Sequence, residues 1–122
     1  MLCTPNAYAS DCPTRVVLDR VADKWTVLIL GLLSRGPLRF NQLRRAIEGL
    51  SQKMLSQTLK GLQRDGLVAR RIEATVPVTV EYRLTPLGRT LIDPVDALRI
   101  WAETHINAVR AAQAAYDEAE TA

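Results

Sequence analysis

Residues 40–84 of this 122-residue chain are FNQLRRAIEGLSQKMLSQTLKGLQRDGLVARRIEATVPVTVEYRL. The opening FNQLRRAI has the length of a short helix, and EGL supplies a corner before the next one. Ser51 is a favourable N-cap for a second helix that Gly66 is placed to end. Two extended runs, LVARRIEA and TVEYRL, flank a Val-Pro pair and predict a β-hairpin. The stretch therefore predicts a helix, a tight turn, a second helix and a two-stranded ribbon, in that order.

The second helix of this stretch has two chemically different faces. Leu55, Leu59 and Leu62 recur at helical spacing and form an apolar face, with Met54 beside it. The opposite face offers hydroxyl, amide and ammonium groups, which hydrogen-bond base edges and phosphates. These polar residues are Ser51, Gln52, Lys53, Ser56, Gln57 and Lys60. Because this helix contains no acidic residue before Asp65, the arrangement predicts a winged helix-turn-helix whose second helix enters a DNA major groove.

The positive charge of the chain is concentrated on the same stretch. The net charge is +3 overall, but residues 35–89 carry eleven Lys and Arg against four Asp and Glu, a net +7. Residues 1–34 are balanced, and residues 90–122 carry a net −4. A solvated charged face is the alternative explanation. A basic surface that coincides with the predicted DNA-binding motif is typical of phosphate binding.

Two further helices are predicted before this stretch. A proline at the first turn favours a helix over residues 13–22, and Asp23 is the expected N-cap of the next helix. Gly36, followed by a proline, ends that second helix. Residues 38–40 are long enough only for a short strand, which in winged helices pairs with the wing. Asn41 is the expected cap of the helix that follows.

The C-terminal third of the chain predicts a long helix with an apolar seam. Thr85-Pro86 opens a short helix, and Pro94 either kinks it or starts a new one. Beyond Pro94 the seam residues recur in steps of three and four, the coiled-coil pattern, and the helix would reach roughly 39 Å. A second copy is the expected partner, and a helix folded back on its own domain is the alternative. The expected dimer-interface residues are Val95, Leu98, Trp101, Ala102, His105 and Val109.

Composition and motifs exclude several other classes of protein. No apolar run approaches the ~18 residues of a membrane span. The N-terminus lacks the segments of a signal peptide, so we expect a cytoplasmic, nucleoid-associated protein. One histidine and two distant cysteines do not supply a metal site, and no nucleotide-binding or catalytic motif occurs. We therefore expect no cofactor, no metal and no enzymatic activity.

The predicted fold class is mainly α with a small β component (α+β), in three parts. Residues 1–11 are expected to be a flexible arm, residues 12–90 the winged helix-turn-helix domain, and residues 91–122 the C-terminal dimerisation helix.

Three segments resemble the HxlR-type branch of bacterial winged-helix regulators, relatives of the MarR proteins. They are CPTRVVLDRVADKWTVLIL (residues 12–30), GPLRFNQLRRAIEGLSQKMLSQTLKGLQRDGLVAR (36–70) and VEYRLTPLGRTL (80–91). The resemblance extends over most of the chain, from Cys12 to His105. It implies a homodimeric transcription factor that binds operator DNA, in a family whose targets often serve detoxification or redox stress.

By position, the resemblance implies a recognition helix at Ser51–Asp65 and a wing at Val68–Leu84, whose tip, Ala74–Thr79, carries no Lys or Arg. Arg70 and Arg71 are adjacent on a strand and point to opposite sides, so at most one lies fully along the DNA. The residues outside the recognition helix that are expected to bind DNA are Arg39, Asn41, Arg44, Arg45, Arg70 and Arg71.

Cys12 directly precedes Pro13 at a predicted helix start. A thiolate there would be stabilised by the helix dipole and by the nearby Arg15. The resemblance implies a cysteine at this place that senses oxidants, quinones or aldehydes, whereas the alternative is a small buried side chain. Cys3, on the arm, is the other cysteine.

The predicted function is a DNA-binding transcriptional regulator that acts as a homodimer on a palindromic operator. Its finer form is a redox- or electrophile-responsive repressor that acts through Cys12; the operator, the inducing signal and the direction of regulation stay open. The alternative is a winged-helix protein-interaction module without sequence-specific DNA binding. Such modules usually lack a basic recognition helix free of acids.

Overall fold

The structure, a computed structural model, describes residues 4–121. These residues form six helices and an antiparallel three-stranded sheet with strand order β1-β3-β2. The elements are α1 (Pro13–Val21), α2 (Lys24–Leu33), β1 (Leu38–Arg39), α3 (Phe40–Ala46), α4 (Gln52–Arg64), β2 (Val68–Glu73), β3 (Thr79–Leu84), α5 (Pro86–Arg89) and α6 (Ile92–Thr121). The predicted fold class is confirmed. Within the described residues, no helix combines the length and the apolar character needed to cross a membrane.

Two of the predicted helix caps are present. The Asp23 carboxylate accepts a hydrogen bond from the Thr26 backbone N–H (3.3 Å) and begins α2. Ser51 Oγ accepts one from the Met54 backbone N–H (3.1 Å) and begins α4. Each bond satisfies a backbone donor that a helix otherwise leaves without a partner in its first turn.

Helix α3 begins at the start of the predicted FNQLRRAI segment rather than after Asn41. Its first residue is Phe40 and its N-cap is Arg39, so the prediction that Asn41 caps this helix is wrong. The Gln42 side chain accepts a hydrogen bond from the Arg39 backbone N–H (2.8 Å). The predicted short strand is confirmed as β1, which pairs with β3. Because the chain turns directly from that strand into α3, no separate cap residue lies between them.

Helix α4 ends in the turn that the sequence predicts at Gly66. The φ angle of Gly66 is +76°, in the left-handed region that glycine adopts readily. The Leu67 N–H donates to the Leu62 carbonyl (2.9 Å), and the Gly66 N–H donates to the Gln63 carbonyl (3.0 Å). This pair of bonds is a common helix terminator, and it leads the chain straight into β2.

The apolar face of α4 lies at the centre of the hydrophobic core. Leu55, Leu59 and Leu62 are buried as predicted, whereas Met54, which was expected beside them, is 37% exposed. Burial of a leucine side chain stabilises the folded chain by about 1.5–3 kcal/mol. The three leucines therefore hold α4 in place while its other side faces solvent. Their buried neighbours are Ile29, Leu30, Leu33, Leu43, Ile47, Leu50, Leu67, Val68, Tyr82, Leu84 and Val95.

Helices α1 and α6 leave apolar side chains in solvent. Within the described chain α1 buries none of its residues, and its apolar residues Val17 and Leu18 are exposed. Pro94 lies in the first turn of α6, so it marks the start of a helix rather than a kink. Of the 30 residues of α6, all of which are described, only Val95 is buried. Most of α6 is therefore uncovered in a single copy of the chain.

Candidate nucleic-acid interface

The solvent face of α4 presents the polar side chains that the sequence places there. Gln52, Lys53, Gln57 and Lys60 are exposed, and Ser56 is half-buried. The Ser51 hydroxyl accepts the capping bond, so it is left with its proton to donate to a ligand. DNA contact by these residues stays a prediction, and their geometry leaves a duplex free to approach.

A second basic group lies on α3, which precedes the corner of the helix-turn-helix. Asn41, Arg44 and Arg45 line a shallow cavity of about 260 Å³. Arg45 Nε donates to the Asn41 carbonyl (3.3 Å), which holds one guanidinium against the helix. Arg44 is exposed. Guanidinium and amide donors around one concave surface suit a phosphate oxygen.

The sheet register decides which wing arginine shares a face with β1. Arg71 and Arg39 both pair with Glu81 of the central strand, so all three side chains point to the same side. Arg70 pairs with Tyr82, which is buried, so Arg70 belongs to the core side of the sheet, although its own side chain is exposed. Arg71 is therefore the wing arginine that lies in a row with Arg39.

Two carboxylates weaken the positive charge of this row. Glu81 lies between Arg39 and Arg71 in the register. Glu73 Oε1 lies 3.7 Å from Arg71 Nε. The sequence alone does not predict that these acids lie beside the arginines, because their proximity depends on how the strands pair. The strongest uncompensated basic surface is accordingly on α3 and α4 rather than on the wing.

Cys12 is the N-cap of α1 and is 4% exposed. Its Sγ lies 3.2 Å from Thr14 Oγ1. Arg15, expected to favour a thiolate at Cys12, donates hydrogen bonds to the Ala7 (3.1 Å) and Tyr8 (2.9 Å) carbonyls, so its guanidinium holds the preceding turns. Its effect on the Cys12 thiol stays a prediction. The flexibility predicted for residues 1–11 stays a prediction, and Cys3 lies outside the described residues.

A cavity of about 530 Å³ joins Cys12 to the end of α4. Cys12, Pro13 and Val16 line one side, and Arg64 and Asp65 line the other. The sequence did not predict this proximity, because about fifty residues separate the two walls. A group attached to Cys12 Sγ would enter a space that the last turn of the recognition helix also borders.

The predicted interface seam of α6 is exposed to solvent except at Val95, which is fully buried in the core of its own domain, so the prediction that Val95 lies at the dimer interface is wrong. Leu98 and Trp101 are each 56% exposed, Ala102 and His105 are exposed, and Val109 is half-buried. The His105 and Trp101 rings stack with centroids 4.9 Å apart, and His105 Nδ1 lies 2.9 Å from the Trp101 carbonyl oxygen. Large exposed apolar side chains such as Leu98 and Trp101 on one helix are typical of an interface.

A cavity of about 350 Å³ lies where α2, the end of α3 and the start of α6 meet. Among the described residues that line it, neither Trp25 nor Trp101 is present. Trp25 instead packs at the edge of the core, with Lys24 Nζ 4.7 Å from its ring centroid.

An ion pair between Arg20 and Asp65 ties α1 to the end of α4. Sequence reasoning missed it, because no spacing pattern relates two opposite charges that belong to different helices. Within residues 4–121, no group of three His, Cys, Asp or Glu side chains could hold a metal ion.

Comparison with known proteins identifies this architecture. The family model of the HxlR-like helix-turn-helix matches residues 20–110. The chain is similar to the uncharacterized HTH-type transcriptional regulator YtfH of Escherichia coli (strain K12), with 46% identity over 106 residues, 87% of this chain and 84% of the relative.

Two solved structures extend the comparison. The transcriptional regulator ytfH from Salmonella typhimurium has a TM-score of 0.84 and 44% identity, over 90% of this chain and 98% of that one. The redox regulator HypR in its oxidized form has a TM-score of 0.71 and 38% identity, over 76% of this chain and 96% of that one. The family and these relatives are transcriptional regulators rather than enzymes, as predicted. The chain therefore belongs to the HxlR-like helix-turn-helix family and is a transcriptional regulator of the helix-turn-helix type.

Proposed function

We propose that this regulator binds an imperfectly palindromic operator as a homodimer, with α4 of each copy in a major groove. The observation that carries the proposal is the exposed, acid-free face of α4 above three buried leucines. Only a helix held rigidly from behind presents its side chains to base edges at a fixed depth. Such a protein acts on the nucleoid, in the cytoplasm.

The proposed contacts divide into base recognition and phosphate binding. Gln57 suits the paired donor and acceptor of adenine, and Lys53 suits guanine or a neighbouring phosphate. The exposed guanidinium groups of Arg39 and Arg44 suit the backbone on either side of the groove. Arg71, beside Glu73 and in register with Glu81, is a weaker phosphate contact.

The homodimer is supported by the two helices that the core does not cover. The seam of α6 around Leu98 and Trp101 is exposed, and so are Val16 and Leu18 of α1. Apolar side chains on two helices of one small domain are costly to leave in water, and a second copy would bury both sets by the same symmetry operation. The operator half-sites should then lie about 10 bp apart, or a multiple of that spacing.

The experiment that tests operator binding uses the DNA upstream of the chain's own gene. We expect a mobility shift with this duplex that survives an excess of shuffled duplex of the same composition. Equal competition by the shuffled duplex, or no shift at all at low salt, would contradict the proposal. A protein-interaction module would give the second result.

We further propose that Cys12 senses electrophiles or oxidants. HypR, one of the similar structures, is a redox regulator. Addition of a quinone to Cys12 would form a bond between Sγ and a ring carbon as a ring C=C bond opens. The thiol proton would pass to one quinone oxygen and the hydrogen of the attacked carbon to the other, which leaves a hydroquinone thioether. The adduct would occupy the cavity bordered by Arg64 and Asp65, and would displace the end of α4.

For Cys12→Ser we expect operator binding that benzoquinone no longer weakens, because serine fills the site without a nucleophilic thiol. The wild type should lose roughly tenfold in affinity, a typical coupling between two sites. Binding is measured by fluorescence anisotropy with and without the quinone. Cys3→Ser is the matched control and should respond as the wild type does. A Cys12→Ser variant that remains sensitive would exclude Cys12 as the sensor.

A further inference from the structure

The Arg20–Asp65 ion pair joins the last turn of α1 to the C-cap of the recognition helix. The Arg20 side chain is 27% exposed and that of Asp65 is 18% exposed, so both charges are largely removed from water. An acid at a helix C-terminus is unfavourable, because the helix dipole is negative there. A cation at the same place offsets both the acid and the dipole. The positive charge of Arg20 therefore offsets the unfavourable interaction of the Asp65 carboxylate with the helix dipole.

Gly61 makes room for this ion pair on the surface of α4. A Cβ atom built at Gly61 would overlap the Arg20 guanidinium, so the arginine lies directly against the helix backbone. Glycine inside a helix is less favourable than alanine. Its presence in the middle of α4 is explained by the close approach of Arg20. Arginine, glycine and aspartate together form one contact between α1 and α4.

This contact adjoins the proposed base-reading surface. Arg20 and Gln57 line the same groove of about 390 Å³, together with Asp23 and Thr58. Arg20 is already engaged by Asp65, so it is not available as a phosphate ligand in this arrangement. A shift of the guanidinium would instead change how α4 is oriented against α1. Because α1 belongs to the proposed dimer surface, that orientation sets where the two recognition helices lie relative to each other.

We propose that Arg20 is a positioning residue for DNA binding: through Asp65 and the space at Gly61 it fixes α1, part of the proposed dimer surface, against the core-anchored α4, and so sets the spacing of the two recognition helices. The inference rests on the proposed operator binding. It adds a residue that touches no DNA and yet decides affinity. The contact of Arg20 with Asp65 and Gly61 would link the proposed dimer surface to the recognition helix, and single substitutions can remove it.

The test compares Gly61→Ala, Arg20→Ala and the double variant, using anisotropy with the upstream duplex at several salt concentrations. Gly61→Ala displaces the flexible end of Arg20 without removing a charge, so the fold should survive. We expect each single variant to weaken binding about tenfold, with the salt dependence unchanged because no phosphate contact is lost. The double variant should be no weaker than Arg20→Ala, because both changes break the same contact.

Thermal unfolding supplies a readout that separates positioning from general destabilisation. In the Arg20→Ala background, Gly61→Ala should raise the melting temperature, since the methyl group no longer meets the guanidinium and alanine favours the helix. Gly31→Ala is the matched control in α2, where a Cβ would lie 3.8 Å from Asp96 Oδ1, an ordinary contact. It should leave operator affinity unchanged.

Three results would overturn the proposal. A flatter salt dependence for Arg20→Ala would make Arg20 a direct phosphate ligand. Additive losses in the double variant would show two independent effects. Wild-type affinity in both single variants would remove Arg20 from DNA binding altogether while leaving operator binding intact. Failure of the wild type itself to bind the duplex would instead overturn the proposed function, and this proposal with it.

Discussion

Replacement of both Lys53 and Lys60 by alanine is expected to weaken operator binding about 60-fold near 0.1 M salt. The two residues are seven positions apart, so they lie on one face of α4 about 10 Å from each other along its axis. Each phosphate contact contributes about 0.9 to the slope of log affinity against log salt concentration. Loss of both should therefore lower that slope by about 1.8, which corresponds to the stated loss of affinity.

The measurement is a series of anisotropy titrations between low and moderate salt. Both lysines are exposed and alanine is a good helix former, so the variant should fold like the wild type. Arg110→Ala removes a positive charge from the exposed part of α6 and should leave the slope unchanged. A double variant with the wild-type slope would show that this face of α4 does not meet phosphates.

Leu98→Asp is expected to convert the proposed dimer into a monomer and to lower operator affinity at least about 100-fold. Leu98 is on the exposed apolar seam of α6, and a two-fold axis would bring two carboxylates together where two leucines met. A dimer gains about 10²–10⁴ in affinity from binding two half-sites at once, and a monomer forfeits that gain. Sedimentation velocity measures the association state, and anisotropy measures DNA binding.

Ile100→Asp is the matched control for this variant. Ile100 is an exposed aliphatic residue on the same helix, two positions along and therefore on the opposite face. The same charge change there should leave a dimer that binds the operator. Dissociation by both variants, or by neither, would contradict an interface built on the Leu98 seam.

Local pattern predicted most of the elements, because their causes are local. The leucine spacing in α4, the Ser51 cap and the turn at Gly66 each depend on residues within a few positions of one another. The wrong prediction of a cap at Asn41 arose from a contact that is not local. Pairing of β1 with β3, a contact between distant segments, moved the start of α3 toward the strand.

In the candidate DNA-binding surface, too, some features follow from a single segment of the sequence and others depend on contacts between distant segments. The exposed face of α4 follows from helical periodicity, so its polar residues were predictable as a group. The choice of Arg71 over Arg70 required the β2–β3 register, and the position of Glu81 between two arginines required both strand pairs. Strand alternation alone states that two neighbours point apart, and it does not state which of them faces the core.

The amino-acid sequence by itself determined a leucine-anchored helix with a basic, acid-free solvent face, because helical periodicity is a property of one segment. Tertiary structure alone decided that Cys12 borders the end of that helix and that Arg20 meets Asp65 over Gly61. Those relations join side chains more than forty residues apart in the chain. Their physical cause is the tertiary arrangement of α1 beside α4, which the spacing of residues within either helix does not encode.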